Sequence, residues 1–298
     1  MNISTYYDLK VKQPELEFLD VKLNDDNKLF IDPKLMEINR GRMFTSMADA
    51  LNTFFGNLVL FVSTNDTAKI NYLLSGLKEP SETRLGYGVN NSNGRSSGPT
   101  IKTKLIESIK NNPVIKSRSI NNLSELSFFI EDVGCDRISD MTTKIIKSSL
   151  IDFTEKQCLK HDIPTKGSTQ KEVFDQKTVT WVSQKCNLPF YNNNGVEKTI
   201  IFVPKTIVGL EAGFNSNLDY FFRFARNFII DKNDRTFLSG IPRNGKNNTI
   251  RKKDFNESIE DRKEEMSKWV VKHPIILSDY WTKSVDRIRS LTNDEIQR

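Results

Sequence analysis

The sequence predicts an α+β fold, a predominantly helical body with a small antiparallel sheet or hairpin. Two observations carry this. Apolar residues recur at helical spacing over long stretches, at Met47, Leu51, Phe54, Phe55, Leu58, Phe61 and Val62, and again at Ile138, Met141, Ile145, Leu150 and Phe153. Between residues 177 and 203 the period falls to two, and Asn192-Asn193-Asn194-Gly195 supplies the positive-φ residues of a hairpin loop.

Taken in order, residues 16–23 and 28–32 are short extended segments separated by the turn-like Asn24-Asp25-Asp26-Asn27. Asp32-Pro33 reads as a helix start, with Asp as cap and Pro in the first turn. One helix runs from Ser46, and another from Asp66 to near Glu79-Pro80, since Pro disfavours helix at the residue before it. Residues 83–99 form a polar, glycine-rich loop. A basic helix is expected over 100–112, another over 120–132, and a long one over 137–160 with Asp136 as cap. Strands are expected over 177–183 and 198–204, and a helix over 219–230. A basic loop at 231–254 and helices over 255–272 and 275–290 close the chain. A helical part, 1–130, thus precedes an α+β part, 131–298, and the two can form one continuous domain.

At 298 residues, with 37% hydrophobic and 28% charged residues, the chain has a globular composition. No apolar run approaches the roughly 18 residues a membrane helix needs, so no membrane association is expected. The N-terminus lacks the basic start and apolar core of a signal peptide. Cys135, Cys158 and Cys186 are too few and too scattered for a disulfide framework, and a reducing cytoplasm is the expected compartment. The net charge of +6 is unevenly spread. Residues 84–118 carry seven cations against Glu107 alone, and 232–254 carry seven against Asp234 and Asp254. Two basic islands on a mildly acidic body attract polyanions through counterion release. Arg84, Arg95, Lys102 and Lys104 in the first, and Arg243, Lys246, Arg251, Lys252 and Lys253 in the second, are the candidate nucleic-acid contacts. The same residues also suit a solvated surface or an acidic protein partner.

Several motifs bear on chemistry. Gly94-Arg95-Ser96-Ser97-Gly98 matches G-x-S-x-G, but Val89-Asn90-Asn91-Ser92-Asn93 is no buried strand to lift a serine, so a hydrolase elbow is rejected. Cys158 and His161 have a spacing that zinc accepts, yet Cys135 and Cys186 stand at irregular distances from them. The densest chemistry is Glu131-Asp132-Val133-Gly134-Cys135-Asp136-Arg137-Ile138-Ser139-Asp140. Asp136, Asp140 and Lys144 fall along one side of a helix. Two carboxylates and a lysine are the parts of a metal-dependent phosphodiesterase: Asp136, Asp140 and Glu131 would hold Mg²⁺ or Mn²⁺, and Lys144 would steady an oxygen. The structural alternative is a helix cap at Asp136 and an ordinary i,i+4 pair between Asp140 and Lys144. Among the Asp-x-Lys triplets only Asp20-Val21-Lys22 lies on an expected strand, so a strand-borne nuclease motif has little support.

Four blocks carry a resemblance: Leu29-Phe30-Ile31-Asp32-Pro33, Glu82-x-x-Leu85-Gly86-Tyr87, Asp136-Arg137-Ile138-Ser139-Asp140-Met141-Thr142-Thr143, and Ile200-Ile201-Phe202-Val203-Pro204-Lys205. Together they resemble blocks of uncharacterised bacterial proteins from mobile-element and phage-defence neighbourhoods. The resemblance implies a setting, antiviral defence, and no site residue. The expectation is a cytoplasmic defence-associated protein that engages DNA or RNA as a sensor or as a subunit beside a protein partner. The alternatives are a metal-dependent nuclease and a module for an acidic partner.

Overall fold

A computed structural model describes residues 1–25, 27–86 and 99–296, with side chains described outside 99–104 and 212–216. The turn Ile3–Tyr6 (α1) leads to an extended stretch in which Leu16, Phe18, Leu19, Val21 and Leu23 are all buried. The strand expected there joins no ladder. Its backbone bonds to other segments are scattered: Ile3 N to Val21 O, Leu23 N to Met1 O, Leu19 N to Val203 O and Lys205 N to Glu17 O. Phe30–Ile31 (β1) does form a ladder, two residues long and antiparallel to Val208–Gly209 (β5).

Asp32 then caps Pro33–Ile38 (α2) as expected, accepting from Lys34 N at 2.9 Å, with Pro33 in the first turn. Burial pushes the Asp32 carboxyl up to about 6. Arg42–Ser63 (α3) buries Met47, Leu51, Phe54, Phe55, Leu58 and Val62, six of the seven residues its periodicity marks, while Phe61 is half-buried. Asp66 caps Thr67–Ser75 (α4), which stops at Gly76 rather than at Glu79-Pro80. A Cβ on Gly76 would lie 2.2 Å from the Trp181 indole, so the ring occupies the space a side chain would need.

Pro99–Asn111 (α5) and Pro113–Lys116 (α6) follow. The helix expected over 120–132 is a single 3₁₀ turn plus Leu126–Phe129 (α7). The long helix expected over 137–160 is two, Cys135–Ile145 (α8) and Lys147–Lys160 (α9), separated at Ile146 by φ −90° and ψ 8°. Gly134 is the cap of α8, and Asp136 sits inside the first turn.

Thr165–Asp175 (β2), Thr180–Asn193 (β3) and Val196–Thr199 (β4) form an antiparallel sheet in the order β2-β3-β4. Asn194 at φ +53° and Gly195 at φ +84° make the expected turn between β3 and β4. β4 ends at Thr199. The buried Ile200, Ile201 and Phe202 find separate partners instead, in Pro189 O, Glu82 O and Thr154 Oγ1.

Glu211–Asp231 (α10) and Arg235–Leu238 (α11) precede the basic loop. The helix expected over 255–272 divides into Lys252–Glu257 (α12) and Arg262–Lys272 (α13), because Asp261 accepts from Lys263 N and Glu264 N and starts a new helix. Ile275–Ser284 (α14) and Asn293–Ile296 (α15) complete the chain.

One apolar cluster runs from Ile3 to Tyr280, so the line near residue 130 does not divide the core. The fully buried Glu125 ties the two parts together. Its carboxylate accepts from Asn121 N, from Asn122 Nδ2 and, at 2.6 Å, from Trp281 Nε1. The fold is therefore α+β, helical with two small antiparallel sheets. Among the described residues no helix is long and apolar enough to cross a membrane.

Candidate functional site

Three of the four sequence blocks meet around α8, and the fourth joins them through Glu82. Ile31 N donates to Ser139 Oγ at 2.9 Å, which fixes β1 to the middle of the helix. Gly86, at φ +97°, lies so close to Asp136 that an added Cβ would stand 2.9 Å from Oδ1. Ile201 N donates to Glu82 O, and the Glu82 carboxylate takes Lys147 Nζ at 2.6 Å.

The helix face itself carries Asp136, Asp140 and Lys144, as the spacing predicts. Asp140 is the unusual group. Burial, then the charges of Asp136 and Glu79, push its carboxyl up to about 8, with Arg137 a smaller opposing influence. The expected pair with Lys144 is not formed. Lys144 is 4% exposed and faces Glu172 Oε2 at 3.5 Å. The reason lies in β2, where the register shifts between Gln170 and Val173 and Glu172 takes φ +55°. This bulge aims Glu172 at both Lys144 and Lys78. Burial, followed by neighbouring Lys147, lowers the Lys144 pKa despite the two glutamates. Burial opposes ionisation of Glu82, but the hydrogen bond and charge of Lys147 outweigh it and its pKa falls.

The cluster thus has two ends. At one, the charges of Asp136 and Glu79 add to burial in keeping the Asp140 carboxyl protonated. At the other, Lys144 and Lys147 are held by Glu82 and Glu172. Lys144 is therefore engaged and buried rather than free to steady a reacting oxygen. Glu131, the third candidate ligand, sits elsewhere. It faces Lys263 Nζ at 4.0 Å and lines a cleft of about 470 Å³ with Asp219, Phe222 and Arg262. Among the described residues no group of three or more Asp, Glu, His or Cys is arranged to hold a metal ion. The cysteines are separate and inert: burial pushes the Cys135 thiol up to about 11 and the Cys158 thiol to about 12.

The first basic island also differs from expectation. Arg84 Nε and Nη2 both donate to Leu23 O, at 3.0 and 2.7 Å, while Arg84 O accepts from Asn27 Nδ2. Arg84 is a clamp between two backbone segments, and its fork is occupied. Arg95 lies outside the described residues, as do the side chains of Lys102 and Lys104, whose backbone is in α5. The second island is exposed as expected. Arg243 donates to Asn233 Oδ1 at 2.7 Å, Arg251 pairs with Asp254 at 2.9 Å, and Lys253 reaches Glu257 at 3.6 Å. Lys246 and Lys252 are exposed, with no ion pair among the described residues.

The model of a domain of unknown function, DUF8370, matches residues 8–215. The chain belongs to this family. No curated protein and no solved structure matches it. The matched segment contains the whole carboxylate–lysine cluster and ends just inside α10, before the second basic island.

Sequence reasoning located Asp136, Asp140 and Lys144 but missed Glu79, Glu82, Lys147 and Glu172. Lys147 could have been found by following the same apolar-flanked face one turn further. Glu172 gave no signal, because its direction depends on the bulge.

Proposed function

We propose that the protein engages nucleic acid through the exposed cations of residues 243–253. It would do so in the cytoplasm, as a sensor or subunit of a defence assembly with a protein partner. What supports this reading is the second island: Arg243, Lys246 and Lys252 stand exposed from a loop and helix start without a carboxylate partner among the described residues. Cations held this way release counterions when they meet phosphates. Three buried cysteines that form no disulfide suit a reducing compartment. The defence setting rests on the resemblance of the four blocks alone. Binding of labelled DNA and RNA by wild type and by a variant neutralised at Arg243, Lys246, Arg251, Lys252 and Lys253 tests it. Equal affinity of the two proteins at low salt refutes it.

One observation favours a second reading, Mg²⁺- or Mn²⁺-dependent phosphodiester hydrolysis. Asp136 and Asp140 stand one turn apart on α8, and a cation bound between them would favour the ionised form of Asp140 that burial and the charge of Asp136 oppose. Mg²⁺ is commonly held by one or two carboxylates together with waters and substrate phosphates, so two ligands suffice in principle. Cleavage of DNA or RNA that needs either ion and disappears in Asp140→Asn establishes this reading. Binding without cleavage leaves the first in place.

A further inference from the structure

The edge between α10 and α14 carries a feature outside both the carboxylate–lysine cluster and the basic loop. Tyr220, Phe224 and Phe228 recur every fourth residue along α10, which sets their backbone positions about 6 Å apart along the helix. Each lies beneath a cation. The Arg287 guanidinium is 4.7 Å from the Tyr220 ring centre, with Arg223 at 5.9 Å on the same ring. Lys283 is 5.2 Å from Phe224, and Lys232 is 5.6 Å from Phe228. Behind them the rings are anchored: Phe224 meets Tyr280 edge-on at 5.8 Å, and Phe228 meets His273 at 5.6 Å. Tyr220 is 42% exposed, and a cleft of about 530 Å³ opens along Phe224, Phe228 and Lys283.

We infer that this edge is a stacking track for a single-stranded nucleic acid. The proposal rests on the nucleic-acid reading above and names the form of strand. Aromatic faces interleaved with flexible cations are what sequence-tolerant single-strand sites use, bases stacking on rings while the cations turn to phosphates. A repeat of about 6 Å along the helix is nearly twice the 3.4 Å rise per nucleotide in a duplex strand, so it suits a stretched single strand. The track is also continuous with the basic island. Lys232 ends it, and the next residue, Asn233, accepts from Arg243 of the loop. Asp231 and Asp279 line the cleft, and Asp286 adjoins Arg287, so the cations are only slightly in excess here. The grip of the track is therefore stacking, whereas the grip of the loop is charge.

That difference supplies the test. An oligothymidylate and a duplex of equal length are titrated against wild type, Tyr220→Ala and the five-site loop variant, with melting temperatures checked for each. Tyr220 is exposed, so Tyr220→Ala is expected to fold normally. It should weaken oligothymidylate binding at least about fivefold, leave duplex binding unchanged, and leave the salt dependence nearly as it was. Photo-crosslinking of a thiothymidine-containing oligonucleotide should label α10 at Tyr220, Phe224 or Phe228. Unchanged oligothymidylate affinity in Tyr220→Ala, with no label on α10, overturns the track and leaves the loop reading standing. Loss of binding in Tyr220→Ala with a loop variant that binds like wild type does the reverse. A wild type that binds neither probe removes both.

Discussion

Asp140→Asn is the perturbation whose sign the structure fixes most clearly. In the fold the carboxyl titrates near 8, against about 3.9 in an unfolded chain. Between those values the folded protein keeps a proton that the unfolded chain has released. Stability therefore falls as pH rises through this window, and the penalty is complete above about pH 8. At about 1.4 kcal/mol per pH unit the gap bounds the penalty near 5–6 kcal/mol, and partial exposure brings it to the order of 2–4 kcal/mol. Asparagine keeps the shape and neutrality of the protonated acid. The variant should match wild type near about pH 3, where folded and unfolded chains both keep the proton, and exceed it by roughly 2–4 kcal/mol above about pH 8, a gain of roughly 3–6 °C in melting temperature. Urea unfolding of both proteins at the two pH values measures the difference, which cancels other titrating groups such as Asp32. Had Asp140 paired with Lys144, as the i,i+4 spacing suggests, the variant would be slightly less stable at the higher pH and never more stable. Equal stability at both pH values refutes the reasoning.

Other outcomes follow from the packing. Gly76→Ala places a methyl group against the Trp181 ring and should destabilise by about 1–3 kcal/mol, read by the urea midpoint; a neutral result would mean the hairpin does not dock on α4. Trp281→Phe removes the 2.6 Å donor to the buried Glu125 and should cost about 1–3 kcal/mol. A double-mutant cycle with Glu125→Gln should give a coupling of at least about 0.5 kcal/mol, and additivity would contradict the bond. If Mg²⁺ or Mn²⁺ engages Asp136 and Asp140, either ion should raise the wild-type melting temperature and leave that of Asp140→Asn unchanged; no shift in wild type argues against the second reading.

Much of the fold is legible locally. The Asp32-Pro33 and Asp66 helix starts, the α3 core face and the Asn194-Gly195 turn each depend on a few adjacent residues, and each is where the sequence puts it. Features set by distant contacts are not legible. Ile200–Phe202 has the composition of a strand, but its amides are taken by Pro189, Glu82 and Thr154, three different places in the chain. The same holds for the candidate site. The face of Asp136, Asp140 and Lys144 follows from helical spacing, while the partner of Lys144 follows from a bulge in β2. Arg84 illustrates the limit for charge: counting cations marks it as available, and only its bonds to Leu23 O reveal a clamp.

The most direct measurement of the central claim is the salt dependence of nucleic-acid affinity, by fluorescence anisotropy, for wild type and the five-site loop variant. Each phosphate contact contributes a slope of about −0.9 in log K against log salt on duplex DNA. Arg243, Lys246 and Lys252 stand without a carboxylate partner among the described residues, so neutralising the island should flatten the slope by about 2–3 and weaken binding at low salt. No detectable binding by wild type at about 50 mM salt, or identical slopes for the two proteins, would contradict the account.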